Sequence, residues 1–147
     1  MDSISAFDLI SIPGAKHIDF FRIGGMRFLG FITDTEMNIL KLRYSENRFV
    51  HYQTIPVTSG VSFDILNTYP RTYLVVLQKA ASVFPGRFSK MYYYDPWDMK
   101  FKTDTAVRIN VWEPSALHAF DIFGTAFLGV VNYQTKRKYF FYKFVPS

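Results

Sequence analysis

The residues best equipped for chemistry are two aspartates in a repeated tripeptide, Phe63-Asp64-Ile65 and Phe120-Asp121-Ile122. Carboxylates converging from several strands can hold a hard cation such as Ca²⁺, which takes roughly six to eight oxygen ligands. Asp64 and Asp121 are therefore the candidate metal ligands. The matching tripeptide Phe21-Arg22-Ile23 carries an arginine instead. That counter-charge favours a structural Asp–Arg pair over a cation site, because two carboxylates make a thin ligand set.

Other constellations are weaker. His17, His51 and His118 are not spaced as metal ligands on one element. No serine, histidine and acid are spaced so as to mark a triad, which geometry alone defines. Gly24-Gly25 has no Lys-Ser/Thr after it and opens an apolar run, so it reads as a turn and not a phosphate loop. The chain has no cysteine, which excludes thiol nucleophiles, disulfides and thiolate metal sites. Lys136-Arg137-Lys138-Tyr139-Phe140-Phe141-Tyr142-Lys143 mixes cations with aromatics, the ingredients that hold single-stranded nucleic acid. It lacks the glycines of an RNP1 sequence, and its alternation suits an ordinary strand behind a basic turn. Trp97 and Trp112 sit in turn-like contexts, where an aromatic either anchors a partner or caps the end of a sheet. Trp97, Trp112, Lys136 and Arg137 are the candidate binding residues.

All these positions depend on the elements beneath them. Aromatics make up 19% of the 147 residues, and they favour pleated, half-buried surfaces. The hydrophobic share of 49% against 20% charged places the chain among globular proteins of one domain. The net charge of +5 permits an acidic partner without choosing one. No apolar run reaches membrane-span length. The N-terminal stretch, with Asp2 and Asp8, shows no basic region followed by an apolar core, so no signal peptide is visible.

The strand pattern repeats. Phe21–Phe31 aligns with Phe120–Val130 without a gap, sharing Phe, Ile, Gly, Phe, Leu and Gly. A middle copy runs from Phe63-Asp64-Ile65 to Tyr73-Leu74-Val75-Val76, with a turn that reads as three residues longer and contains Pro70. A second block follows each copy: Ile39–Tyr44, Lys90–Tyr94 and Tyr139–Phe144. A third block runs Phe49–Pro56 and Phe101–Ile109, and its last counterpart is Phe7–Pro13 at the N-terminus. Leu40, Leu42 and Tyr44 alternate with Lys41 and Arg43, the period of a half-buried strand. No segment sustains a helical period; at most Val76–Val83 holds one helical turn.

The order Leu42-Arg43-Tyr44, Phe49 to Gln53-Thr54-Ile55, a small-residue turn, Phe63-x-Ile65 and Tyr73-Leu74-Val75-Val76 resembles the EPTP repeat. This epilepsy-associated repeat occurs in the leucine-rich glioma-inactivated secreted proteins and in some large cell-surface receptors. The copies cover nearly the whole chain. The resemblance implies β-propeller blades, a secreted or cell-surface setting and protein–protein recognition without catalysis. It also implies a cation site in the channel.

The expected fold is all-β: three four-stranded antiparallel repeats of propeller-blade type. The units fall at about 17–61, 62–115 and 116–147, the last completed by residues 1–13. A β-trefoil is the alternative, giving a lectin-like or other ligand-binding protein. A nucleic-acid-binding β protein is the second alternative, and an enzyme ranks last. No cofactor beyond Ca²⁺ is expected. Three wedge-shaped blades cannot surround a channel and would leave the first and last outer faces apolar and bare. A homodimer completing a six-bladed ring, or a longer chain, would cover them.

Overall fold

Alternating apolar and polar residues, punctuated by Gly, Asn, Asp and Ser, fold into antiparallel strands. The computed structural model describes residues 2–3, 10–68, 71–79, 89–109, 111, 114–132 and 138–145. Among them every regular element is a strand, and none is a helix long and apolar enough to cross a membrane. Strands β1 (His17–Ile23), β2 (Met26–Ile32), β3 (Glu36–Arg43) and β4 (Arg48–Pro56) form a four-stranded first sheet in that order. The five-stranded second sheet contains β5 (Gly60–Thr68), β6 (Arg71–Gln78), β7 (Ser89–Asp95), β8 (Lys100–Phe101) and β9 (Val107–Ile109). Both β8 and β9 pair with β7. Strands β10 (Pro114–Ile122), β11 (Thr125–Asn132) and β12 (Lys138–Lys143) form the three-stranded third sheet.

The sheets stack in chain order. Phe28, Ile32, Met37, Ile39 and Ile55 of the first sheet pack on Phe63, Leu74, Val76, Tyr92, Tyr94 and Phe101 of the second. Leu66, Tyr73, Val75 and Met91, on the other face of the second sheet, meet Ala126 and Leu128 of the third. Strand β6 lies at the centre and is buried from Tyr73 to Gln78, which explains its unbroken apolar run. Fully burying a side chain such as Leu74 or Val76 contributes about 1.5–3 kcal/mol, so β6 holds both interfaces. Strand β5 lies against both β1 and β10, which brings the first strand of each sheet to one edge of the stack.

Polar clamps reinforce the apolar contacts. The Gln53 side chain donates to the Phe101 carbonyl at 2.8 Å and accepts the Phe101 N–H at 3.0 Å, joining β4 to β8. Buried Gln78 accepts the Thr58 N–H at 2.7 Å, which ties the end of β6 to the connection between β4 and β5.

Several expectations are corrected. The middle hairpin has no longer turn: β5 and β6, like β1 and β2 and like β10 and β11, are separated by two residues. A two-residue loop sets the register from the turn outward, whatever tripeptides coincide. Asp64 stands opposite Val75, as Asp19 stands opposite Gly30 and His118 opposite Gly129. Asp121, opposite Ala126, corresponds to Asn67 and Arg22. Asp64 and Asp121 are therefore not counterparts.

The trefoil alternative fails as well. A trefoil closes a barrel by pairing strands of successive units, whereas the described strands pair only within their own sheets. In the second sheet the Phe101–Ile109 strand is split, because the five residues 102–106 span a length of β7 that holds only Tyr92 and Tyr93 and cannot all stay in register. The third sheet has three strands among the described residues. Of the segment expected to complete it, residues 7–9 lie outside the described residues and 10–12 form no strand. The stretch suspected of a helical turn is strand through Gln78, and its residues 80–83 lie outside the described residues.

Candidate functional site

Tight turns gather at one end of the stack, and aromatic tips project from them. The β10–β11 turn is Phe123-Gly124, with φ of 50° and 82°. Two positive φ values are those of a type I′ turn, where Gly, Asn or Asp normally supplies them. Here a phenylalanine does, with its side chain fully exposed at 103%. Asp121 Oδ1 accepts the Gly124 N–H at 3.0 Å and braces the turn. The corresponding residue of the first hairpin is Gly24, at φ 61°. A fully exposed side chain held at positive φ is a candidate functional position, since burial does not repay its backbone cost.

Trp97 projects from the β7–β8 turn, 90% exposed. Its backbone is held: Asp95 Oδ1 accepts the Trp97 N–H at 2.8 Å, and Lys102 pairs with Asp95 and Asp98. The bond from the Trp97 N–H, with Lys102 adding, keeps the Asp95 carboxyl below the usual carboxylate range. Tyr44, Met99 and Val145 are also exposed at turn or strand ends. An exposed aromatic on a braced turn can enter a partner's pocket with little ordering cost.

Both aspartates accept backbone hydrogen bonds within the fold. Asp64 Oδ2 accepts the Ala119 N–H of β10 at 2.7 Å, and Oδ1 accepts the Ile65 N–H at 2.8 Å. It thus ties the second sheet to the third, with His118 Nδ1 3.8 Å away. Neither aspartate pairs with Arg22, which stands opposite Arg27. Among the described residues no three His, Asp or Glu side chains are grouped to hold a metal ion. His17 packs edge-on to Phe63 at 5.1 Å, and His51 shares a 2.9 Å hydrogen bond with Thr54, so the histidines stand in separate settings. Trp112, Lys136 and Arg137 lie outside the described residues, as does Pro70.

The end faces of the stack are apolar and open. On the first sheet Ile18 and Phe20 are 49% and 67% exposed. A groove of about 470 Å³ at the turn end of this sheet is lined by Phe20, Arg22, Arg27, Leu42 and Phe49 and reaches round to Phe21 and Phe28 of the inner face. On the third sheet the rings of Phe120 and Phe127 stack at 5.6 Å, beside Phe141, which is 70% exposed. Sequence reasoning missed Phe123. The cue was its alignment with Gly24 in a two-residue turn, where a bulky residue is out of place.

Searches against family models and against curated proteins return no match for this chain.

Proposed function

We propose that the chain is a non-enzymatic protein-binding module of propeller-type blades. The blades resemble the EPTP repeat, and recognition is at the turn end. The observation that carries this reading is Phe123, fully exposed at positive φ where the first hairpin has glycine. A side chain kept there at a conformational cost has its use outside the chain. Trp97 adds a second anchor of the type that dominates protein interfaces. The blade reading is supported by Gln53, the glutamine of the EPTP-like pattern, which clamps one sheet to the next. The same resemblance carries the extracellular or cell-surface setting.

A phage-displayed random peptide library, selected on the immobilised wild-type chain, tests this reading. The expected result is enriched peptides that bind Phe123→Gly and Trp97→Ala at least tenfold more weakly, with both variants melting no lower than wild type. Peptides that bind the two variants as tightly as wild type, or no enrichment at all, would overturn it.

A further inference from the structure

The second sheet receives the first through six side chains: Phe63, Leu74, Val76, Tyr92, Tyr94 and Phe101. Their counterparts in the first sheet follow from the registers. Strand by strand they are Ile18, Leu29, Phe31, Leu40, Leu42 and Phe49. All six are apolar and lie on the outer face of the first sheet, from Ile18 at 49% exposed to Leu29 at 5%. That face is built like the receiving face inside the stack, yet among the described residues no other sheet packs on it, and Phe20 there is 67% exposed.

The opposite end has the complementary face. In the first sheet Phe21 stacks on Phe28 at 5.3 Å, and Phe101 of the second sheet meets Phe21 at 6.5 Å. Beside this pair lies Gly30, where a Cβ would come within 2.8 Å of the Phe63 ring, so the missing side chain makes room for that ring. The third sheet repeats the arrangement with Phe120 stacked on Phe127 and with Gly129 beside them. At Gly129 a Cβ would meet nothing closer than 3.5 Å, and those atoms belong to its own sheet. Glycine inside a strand weakens it, and a close approach by another backbone or side chain is one reason to keep it.

We infer that the open face of the third sheet docks on the open face of the first sheet of a second copy of this chain. In that contact Ile18 of the second copy takes the Phe63 role over Gly129, and its Phe49 takes the Phe101 role over Phe120. The contact is head-to-tail, because the two faces are of different kinds. A twofold axis repeats it once and closes six sheets into a ring, leaving no open face to propagate a fibre. The occupant is a second copy because each end carries the mate that the other end needs.

The absence of native cysteine makes a cross-linking test clean. Ile18→Cys, Gly129→Cys and the double variant are treated with a short bismaleimide, and the wild-type mass is measured by sedimentation at micromolar concentration. The expected results are a wild-type particle of twice 17.2 kDa, covalent dimers from the double variant and none from either single variant. Gly129→Glu places a charge in the seat, and it should halve the native mass while the melting temperature of the chain persists. Self-linking of Gly129→Cys alone would mean that like faces pair, and a ladder above the dimer would mean an open chain. Either result overturns the closed head-to-tail ring. A wild-type monomer overturns the assembly altogether, and leaves recognition at the turn end to its own peptide test.

Discussion

Gln53 holds Phe101 by both ends of its side-chain amide, as a neighbouring strand would hold it through backbone groups. One polar side chain thus continues hydrogen bonding from the first sheet to the second, at an edge where β8 is only two residues long. Gln53→Ala removes a donor and an acceptor together and should cost about 1–3 kcal/mol. Gln53→Glu keeps the acceptor but sets a carboxylate oxygen against the Phe101 carbonyl, and should cost at least as much. Denaturant unfolding of both variants checks this. A loss in Gln53→Glu well below that in Gln53→Ala would show that the donated bond does not matter.

Asp64 makes the corresponding tie on the other side of the second sheet, through the Ala119 N–H. Asp64→Ala should destabilise by about 1.5–3 kcal/mol, the range for a hydrogen bond to a charged group. The loss should be the same with and without millimolar Ca²⁺. A calcium-dependent rise in melting temperature that Asp64→Ala abolishes would restore the cation reading.

Buried phenols set an alkaline limit. Burial, with the Tyr52 hydroxyl and the Asp95 charge adding, raises the Tyr94 phenol far above its ordinary value of 10.0, and burial alone raises Tyr92 and Tyr142. The unfolded chain then releases these protons first. Stability is fully present below pH 10 and falls as the pH rises toward the folded-state values. The Tyr94 hydroxyl makes no hydrogen bond of normal geometry, so Tyr94→Phe should leave neutral-pH stability unchanged or raised. It should also flatten the decline above pH 10. Melting curves from neutral to alkaline pH test both; an equally steep decline in the variant would remove Tyr94 as a cause.

Much of the architecture was legible because it depends on side-chain period. Leu40 and Leu42 alternating with Lys41 marked β3, and the apolar run Tyr73–Leu77 had the length of a strand; that both its faces are covered is shown by the stack alone. The open end faces followed from counting three repeats. The register of the middle copy did not follow. Phe63-Asp64-Ile65 matched Phe120-Asp121-Ile122 letter for letter, and only the two-residue loop shows that they sit at different distances from their turns. Nor is the sign of φ written in residue letters. In the sequence Phe123 stood only as the residue aligned with Gly24, and its left-handed turn is visible in the backbone alone.

That backbone supplies the last prediction. A residue with a Cβ in the left-handed region costs roughly 1–2 kcal/mol, and glycine escapes the penalty while adding some unfolded-state entropy. Phe123→Gly should therefore raise stability by about 0.5–1 kcal/mol net. Phe123→Ala keeps the Cβ and the strain, and it should leave stability near the wild-type value. Because the ring is fully exposed, removing it sacrifices no packing within the chain. Chemical denaturation of the two variants side by side separates strain relief from loss of an exposed apolar group. Equal gains in Gly and Ala would mean that exposure, and not φ, sets the cost. Gain in Gly alone, together with loss of the selected peptides, would mean that the chain keeps a strained turn for the sake of what Phe123 touches.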